Sequence, residues 1–229
     1  MTQSTLIRRV HGRRPRLLDL FCKQGGAGKG YGDAGFNVTG VDTEPQPRYP
    51  HKFVQADALA FVREHGADFD FIHASPPCQF YSDTQRLTGN AHPALIAPTR
   101  AALEATGRPY VIENVRGAVP HLIAPALLCG SMFALETYRH RYFETGRWTL
   151  TAPQHPQHAA PVAKMGRPIP PGHFGQFVGN FSGVDHARRV MGVDWMNRDG
   201  IRECIPPAYT QWIGTAALAQ LASALGVAA

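Results

Sequence analysis

Along this chain, short apolar runs alternate with helical stretches that each close on a glycine. Residues 16–21 form an apolar run that feeds a glycine-rich segment, the pattern of a buried parallel strand entering a turn. A helix is predicted over 27–34, ended by Gly35, and a second strand over 36–41, closed by Asp42. The pattern then predicts a strand over 52–55, a helix over 59–65, a strand over 69–74, a helix over 95–106 and a strand over 110–115. Such alternation argues for an α/β fold with a doubly wound, mostly parallel sheet, whose ligands bind at the carboxyl ends of the strands. Two more strands are expected within 139–150 and an apolar terminal helix over 216–225. Between them the texture changes. Pro153, Pro156, Pro161, Pro168, Pro170 and Pro171, with many His, Gly and Gln residues, make 151–183 an irregular, poorly core-forming insertion or lid.

At 229 residues the chain suits one domain, expected over 16–229 behind a basic, flexible arm at 1–15. The net charge of +6, partly local in Arg8, Arg9, Arg13, Arg14 and Arg16, favours a polyanionic partner, although those arginines equally suit a solvated arm. Cys22, Cys78, Cys129 and Cys204 lie too far apart for a disulfide framework, which points to a reducing compartment. His155 and His158 are a close pair, but a proline-rich loop is a poor setting for a metal site, and no metal is expected. No apolar stretch reaches the length of a membrane span and no signal core opens the chain, so the expectation is a soluble, cytoplasmic monomer.

On the expected sheet, Asp42, Asp57, Cys78 and Glu113 fall at the ends of successive strands and would line one crevice. Cys78 follows a double proline in Ser75-Pro-Pro-Cys-Gln79, which holds its thiol on a stiff turn; a small buried hydrophobe is the other reading of such a cysteine. Asp42 lies 23 positions beyond Asp19, where doubly wound nucleotide-binding folds keep a ribose-binding acid, and it also suits a plain turn. Asp57 could accept from an adenine amino group or cap the following helix. Gly30-Tyr-Gly-Asp-Ala-Gly35 spells a dinucleotide fingerprint but lies inside the expected helix, which argues against a nicotinamide-dependent oxidoreductase. Gly25-Gly-Ala-Gly-Lys-Gly30 lacks the spacing and the Ser or Thr of a triphosphate loop.

Five short motifs then follow in order: Asp19-Leu-Phe21 with Gly25-Gly26, Pro76-Pro-Cys-Gln79, Glu113-Asn-Val115, Arg139-His-Arg141 and Ile205-Pro-Pro207. In these the chain resembles the cytosine-5 DNA methyltransferases, most closely the compact phage and prophage versions, from Leu17 to the C-terminal helix. The resemblance implies a Rossmann-like class I methyltransferase fold, S-adenosylmethionine as cofactor with S-adenosylhomocysteine as product, and DNA as partner. It makes Cys78 the nucleophile, Glu113 the acid at cytosine N3 and Arg141 the ligand of cytosine O2. Arg139, expected on the same strand face as Arg141, would hold Cys78 or Glu113 in place. For the cofactor it implies Phe21 at the adenine, Asp42 and Thr43 at the ribose, Asp57 and Ala58 at the adenine edge, and Lys23, Gln24, Gly25 and Gly26 at the methionine part. Asp19 would brace that turn, Pro77 would lie against the cofactor, and Ile205 would close the pocket.

The chain departs from the family pattern at Lys23, where a glycine is usual, at Thr43, where an aromatic is, at Thr137, where a glutamine is, and at Arg202-Glu203, where glycine and asparagine are. The target-recognition segment at about 146–183 is small, which implies a short recognised sequence read by Lys164, Arg167, His173, Gln176 and Asn180. Closing motifs follow over 184–229. Residues 79–93 are expected to close over DNA, with Gln79 contacting it and Ser82 and Gln85 filling the vacated base stack. Structured RNA as substrate, or nucleic-acid binding without catalysis, are the alternatives that composition leaves open.

Overall fold

The computed structural model describes residues 13–78 and 94–224. Its sheet has seven strands, β1 (Arg16–Leu20), β2 (Asn37–Asp42), β3 (Lys52–Gln55), β4 (Phe71–Ala74), β5 (Tyr110–Asn114), β6 (Ala126–Leu128) and β7 (Arg141–Gly146), in the order β3-β2-β1-β4-β5-β7-β6. Strands β1 to β5 are parallel, and β7 runs antiparallel to both β5 and β6. Helices α1 (Gly26–Ala34), α2 (Ala58–His65) and α3 (Ile96–Ala105) connect the parallel strands, and α4 (Val184–Met191), α5 (Arg198–Glu203) and α6 (Pro207–Ala224) close the chain. The doubly wound, mostly parallel sheet expected from the apolar pattern is therefore present.

Successive residues of a strand face opposite ways, so the continuous apolar run of β1 feeds two cores. Leu17 packs with Tyr31, Phe36, Phe71, Tyr209 and Ile213 on the α1 and α6 side, while Leu18 and Leu20 pack with Val41, Val62, Ile72, Leu103 and Ile112 on the other. Each such side chain, taken fully out of water, contributes about 1.5–3 kcal/mol. The glycines of α1 serve this packing. A Cβ at Gly30 would collide with the Pro207 carbonyl of α6, and Thr210 Oγ1 donates to the Ala27 carbonyl at 2.9 Å across the same contact.

Several expectations are corrected. The region 139–150 holds one strand, β7; the second edge strand, β6, lies upstream and is only three residues long. Strand β4 starts at Phe71, because the Asp70 carboxylate turns aside to accept from the Arg16 backbone at 2.7 Å. Arg13, placed in the arm by the sequence, is also paired with Asp70, its Nη2 donating at 3.0 Å. The terminal helix begins at Pro207, well before 216, since proline suits a first helical position whose N–H needs no partner. The segment 151–183 holds neither helix nor strand, only a bridge between Val162 and Phe174. It is not without a core, however: Phe177 and Phe181 are buried with Met191, Val193, Met196 and Ile201. No described helix is long and apolar enough to cross a membrane.

Candidate functional site

Strand order reverses between β1 and β4, and a cleft opens at their carboxyl ends, as it does in open α/β sheets generally. One half of the cleft is the turn after β1. Phe21, Lys23 and Gly25 there have φ of 59°, 45° and 82°. Left-handed backbone is easy for glycine but costs the other two residues about 1–3 kcal/mol each, a strain that persists only where the surroundings over-determine it. The surroundings do so here. The Lys23 N–H donates to Asp42 Oδ2 at 3.1 Å and the Cys22 N–H to the Val41 carbonyl at 3.1 Å, which bind the turn to the end of β2. From the C-terminal side, Trp195 Nε1 donates to the Gln24 carbonyl at 2.7 Å.

Gln24, expected to face a ligand, lines the cleft and also clamps the closing segment. Its Nε2 donates to Asn197 Oδ1 at 2.8 Å and its Oε1 accepts from the Asn197 backbone at 3.2 Å, so both ends of the amide are engaged. Asp19 lies beneath the turn, fully buried, and accepts from the Tyr49 hydroxyl at 2.9 Å. Burial pushes the Asp19 carboxyl up to about 7, against the pull of that hydroxyl and the Gly28 backbone. Asp42 lines the cleft and accepts once at each oxygen, Oδ1 taking the Glu44 N–H at 3.2 Å. Phe21, Lys23, Gly25, Gly26, Thr43, Ala58, Pro77 and Ile205 join it in the walls. Asp57 is not in the walls: it is exposed and caps α2, accepting from the Ala60 N–H at 2.8 Å. The Lys23 ammonium points away to Glu44, 3.7 Å off at the surface.

The other half of the cleft brings the catalytic candidates together. Cys78 ends the Pro76-Pro77 turn after β4 and is half-buried. Asn114, at the end of β5, donates through Nδ2 to the Pro76 carbonyl at 2.8 Å while its Oδ1 accepts from the Val115 N–H at 2.9 Å. Beside it, the buried Glu113 lies 3.0 Å from Arg141 Nε at the start of β7, an ion contact that is not aligned as a hydrogen bond. Burial pushes the Glu113 carboxyl up to about 7, and Arg141 and then Arg139 oppose it. Burial also raises the Cys78 thiol, with the Arg141 guanidinium pulling it down and Glu113 and Glu203 pushing it up.

Arg139 does not share a face with Arg141. It precedes β7 with a φ of 30°, and this left-handed turn sends its side chain to the C-terminal wall. There it donates to the carbonyls of Cys204 at 2.8 Å, Phe177 at 3.1 Å, Ile201 at 3.0 Å and Arg202 at 2.9 Å. With four of its five N–H donors on backbone carbonyls, it braces the wall that carries Ile205, and none of those bonds reaches Cys78 or Glu113.

Of the expected DNA readers, Lys164, Arg167, Gln176 and Asn180 are exposed and His173 is half-buried against the Pro171 carbonyl. The loop at 164–167 lies beside Gly179 and Asn180, so Lys164, Arg167 and Asn180 share one surface. Gln79, Ser82 and Gln85 lie outside the described residues. Sequence reasoning missed Asn114, Tyr49, Trp195 and Asn197 as parts of the site. Only Asn114 carried a signal, its place between Glu113 and Val115.

No known protein family matches the sequence, and no curated protein matches it. Solved structures do. A DNA modification methyltransferase encoded within a prophage of E. coli is 16% identical, with a TM-score of 0.62 over 91% of this chain and 99% of its own. The Dnmt2 methyltransferase of S. pombe is 12% identical, with a TM-score of 0.57 over 93% of this chain and 99% of its own. At these identities the likeness is one of fold. The chain has the Rossmann-like class I methyltransferase fold.

Proposed function

We propose that this protein methylates C5 of cytosine in DNA, using S-adenosylmethionine and a covalent bond to Cys78. The observation that carries this reading is one cleft holding a half-buried thiol, a buried carboxyl raised to about 7, and a guanidinium 3.0 Å from that carboxyl. C5 of cytosine is a poor nucleophile until a thiolate adds at C6 and makes it enamine-like. Cys78, its thiol proton given up to solvent beside the Arg141 guanidinium, supplies the thiolate, Glu113 in its neutral form donates its proton to N3, and Arg141 takes O2. After a methyl group is bonded to C5, the C5 proton leaves to solvent water, the Cys78 sulfur is expelled as thiolate and N3 returns its proton to Glu113, restoring the ring.

The β1 half of the cleft suits S-adenosylmethionine, which when bound supplies the methyl group. Phe21, Ala58 and Ile205 offer apolar contact to a flat ring, and each Asp42 oxygen, accepting one N–H, keeps lone-pair capacity for ribose hydroxyls.

DNA as the substrate is supported by the +6 charge and by the prophage DNA modification methyltransferase of the same fold. Because C6 is inaccessible inside a duplex, the target base is flipped into the cleft. The small exposed surface of Lys164, Arg167 and Asn180 fits a recognised sequence of two or three base pairs. The test is incubation with labelled cofactor and either duplex DNA or transfer RNA containing 5-fluorocytosine, which cannot lose its fluorine after methylation. A trapped adduct on DNA that Cys78→Ala abolishes is the expected result. Adduct on the RNA alone moves the substrate, and no adduct on either with cofactor bound overturns the mechanism.

A further inference from the structure

Four side chains that the proposed reaction does not use converge beside the antiparallel edge of the sheet. Cys129 follows β6, His140 immediately precedes β7, and His155 and His158 come from the proline-rich segment. The cysteine Sγ and one ring nitrogen of each histidine all lie within 4.8 Å of one another. His140 Nε2 is 3.2 Å from His155 Nε2, and Cys129 Sγ is 3.4 Å from His158 Nε2. A tetrahedral zinc, with bonds of about 2.0 Å to nitrogen and about 2.3 Å to sulfur, has ligand-to-ligand edges of roughly 3.3 Å and roughly 3.5 Å. The two close pairs match those edges.

We propose that Cys129, His140, His155 and His158 form a structural zinc site that fastens the proline-rich segment to the sheet. One thiolate and three imidazoles suit zinc's borderline softness, and four protein ligands close its coordination, as in structural rather than catalytic sites. Supporting contacts of the kind that orient metal ligands are in place. Ser131 Oγ lies 3.1 Å from Cys129 Sγ, and the Tyr138 ring stacks on His158 with centroids 3.5 Å apart. Tyr138 is itself tied at both ends: its hydroxyl donates to the Ala160 carbonyl at 2.8 Å and its carbonyl accepts from the Gly130 N–H at 2.8 Å. Binding displaces the Cys129 thiol proton to solvent.

The site explains how residues 151–160, without helix or strand, keep a position against the sheet. It also pins His140, which stands between Arg139 and Arg141. Only this last consequence rests on the proposed methylation; metal binding does not. The test is the metal content of the full-length protein after reloading with zinc and gel filtration, by mass spectrometry. About one zinc per chain is expected, falling at least tenfold in Cys129→Ser and in the double variant His155→Ala/His158→Ala. Both of those histidines are exposed, so circular dichroism of the double variant is expected to match the parent. Cobalt in place of zinc is expected to give tetrahedral ligand-field bands and a thiolate charge-transfer band that Cys129→Ser removes. Zinc far below one per chain in the parent, or full zinc retained by the double histidine variant, overturns the site.

Discussion

The Asn114 side chain donates to the Pro76 carbonyl at 2.8 Å, so the turn that presents Cys78 is fixed to the end of β5, the strand that presents Glu113. Nucleophile and acid therefore keep a common frame, and small misplacements of reacting groups are costly. Asn114→Asp keeps an acceptor for the Val115 N–H and removes the donor to Pro76. In single-turnover adduct formation it is expected to slow the step about tenfold or more, since a buried carbonyl left without its donor costs about 1–3 kcal/mol. Cofactor affinity is expected to stay within about twofold, because the Asn114 amide bonds to Pro76 and Val115 and not to the β1 turn. Adduct formation at the parent rate would show that the clamp is dispensable.

Glu113 and Asp19 set the pH dependence of stability. Both carboxyls are pushed up to about 7 in the folded chain, from ordinary values of 4.5 and 3.8. Between those limits the folded state holds protons that the unfolded state has lost, so stability falls as pH rises. It is greatest below about pH 4 with respect to these two groups and fully reduced above about pH 7, by on the order of 3 kcal/mol for each. Urea titrations at pH 5 and pH 8 are expected to show the larger part of that loss, the rest falling below pH 5, and Glu113→Gln to remove its own share. A stability that rises from pH 5 to pH 8 by the same amount would contradict the raised values.

The parallel half of the fold was legible because buried parallel strands are continuous apolar runs bounded by glycine, proline or acid, as in 16–20, 37–42 and 110–114. The same ends display Cys78, Asp42 and Glu113, so most of the site followed from the strands. Strand β6 was illegible because three residues carry no periodicity. The role of Arg139 could not be read locally, since its partners Ile201, Arg202 and Cys204 lie more than sixty residues on. The Cys129 and histidine cluster was hidden for the same reason: β6 and β7 bring its members together, and their sequence spacing follows no short metal motif.

The two arginines of Arg139-His-Arg141 are expected to fail in different ways. Arg139 is half-buried on four carbonyls, so Arg139→Lys, with three donors and no planar fork, strands at least one of them. A loss of about 1–3 kcal/mol in stability is expected, with a lower melting temperature before any question of activity arises. Arg141 makes its main contact with Glu113, and Arg141→Lys is expected to melt within a few degrees of the parent while adduct formation falls at least tenfold. Thermal melts read beside adduct assays separate the two. Equal melting losses for both variants would mean that Arg141 is as structural as Arg139.

The Gln24 and Asn197 pair gives a last test, because it joins the strained turn after β1 to the wall that carries Ile205. Gln24→Ala is expected to weaken S-adenosylmethionine binding about tenfold while the maximal rate at saturating cofactor changes little, since no reacting group is touched. Asn197→Ala keeps the backbone N–H to Gln24 Oε1 but loses the Oδ1 partner of Gln24 Nε2 and also the cap on α5, where Oδ1 accepts from the Gly200 N–H at 2.9 Å, a further cost of about 1 kcal/mol in stability. Asn197→Asp keeps both acceptor roles and is expected to bind cofactor nearly as the parent does. In a double-mutant cycle the two alanine changes are expected to couple by about 0.5–3 kcal/mol in cofactor affinity, because either one alone already removes the bond from Gln24 Nε2 to Asn197 Oδ1. Strictly additive losses would mean that Gln24 acts on the cofactor directly and that Asn197 is incidental to it.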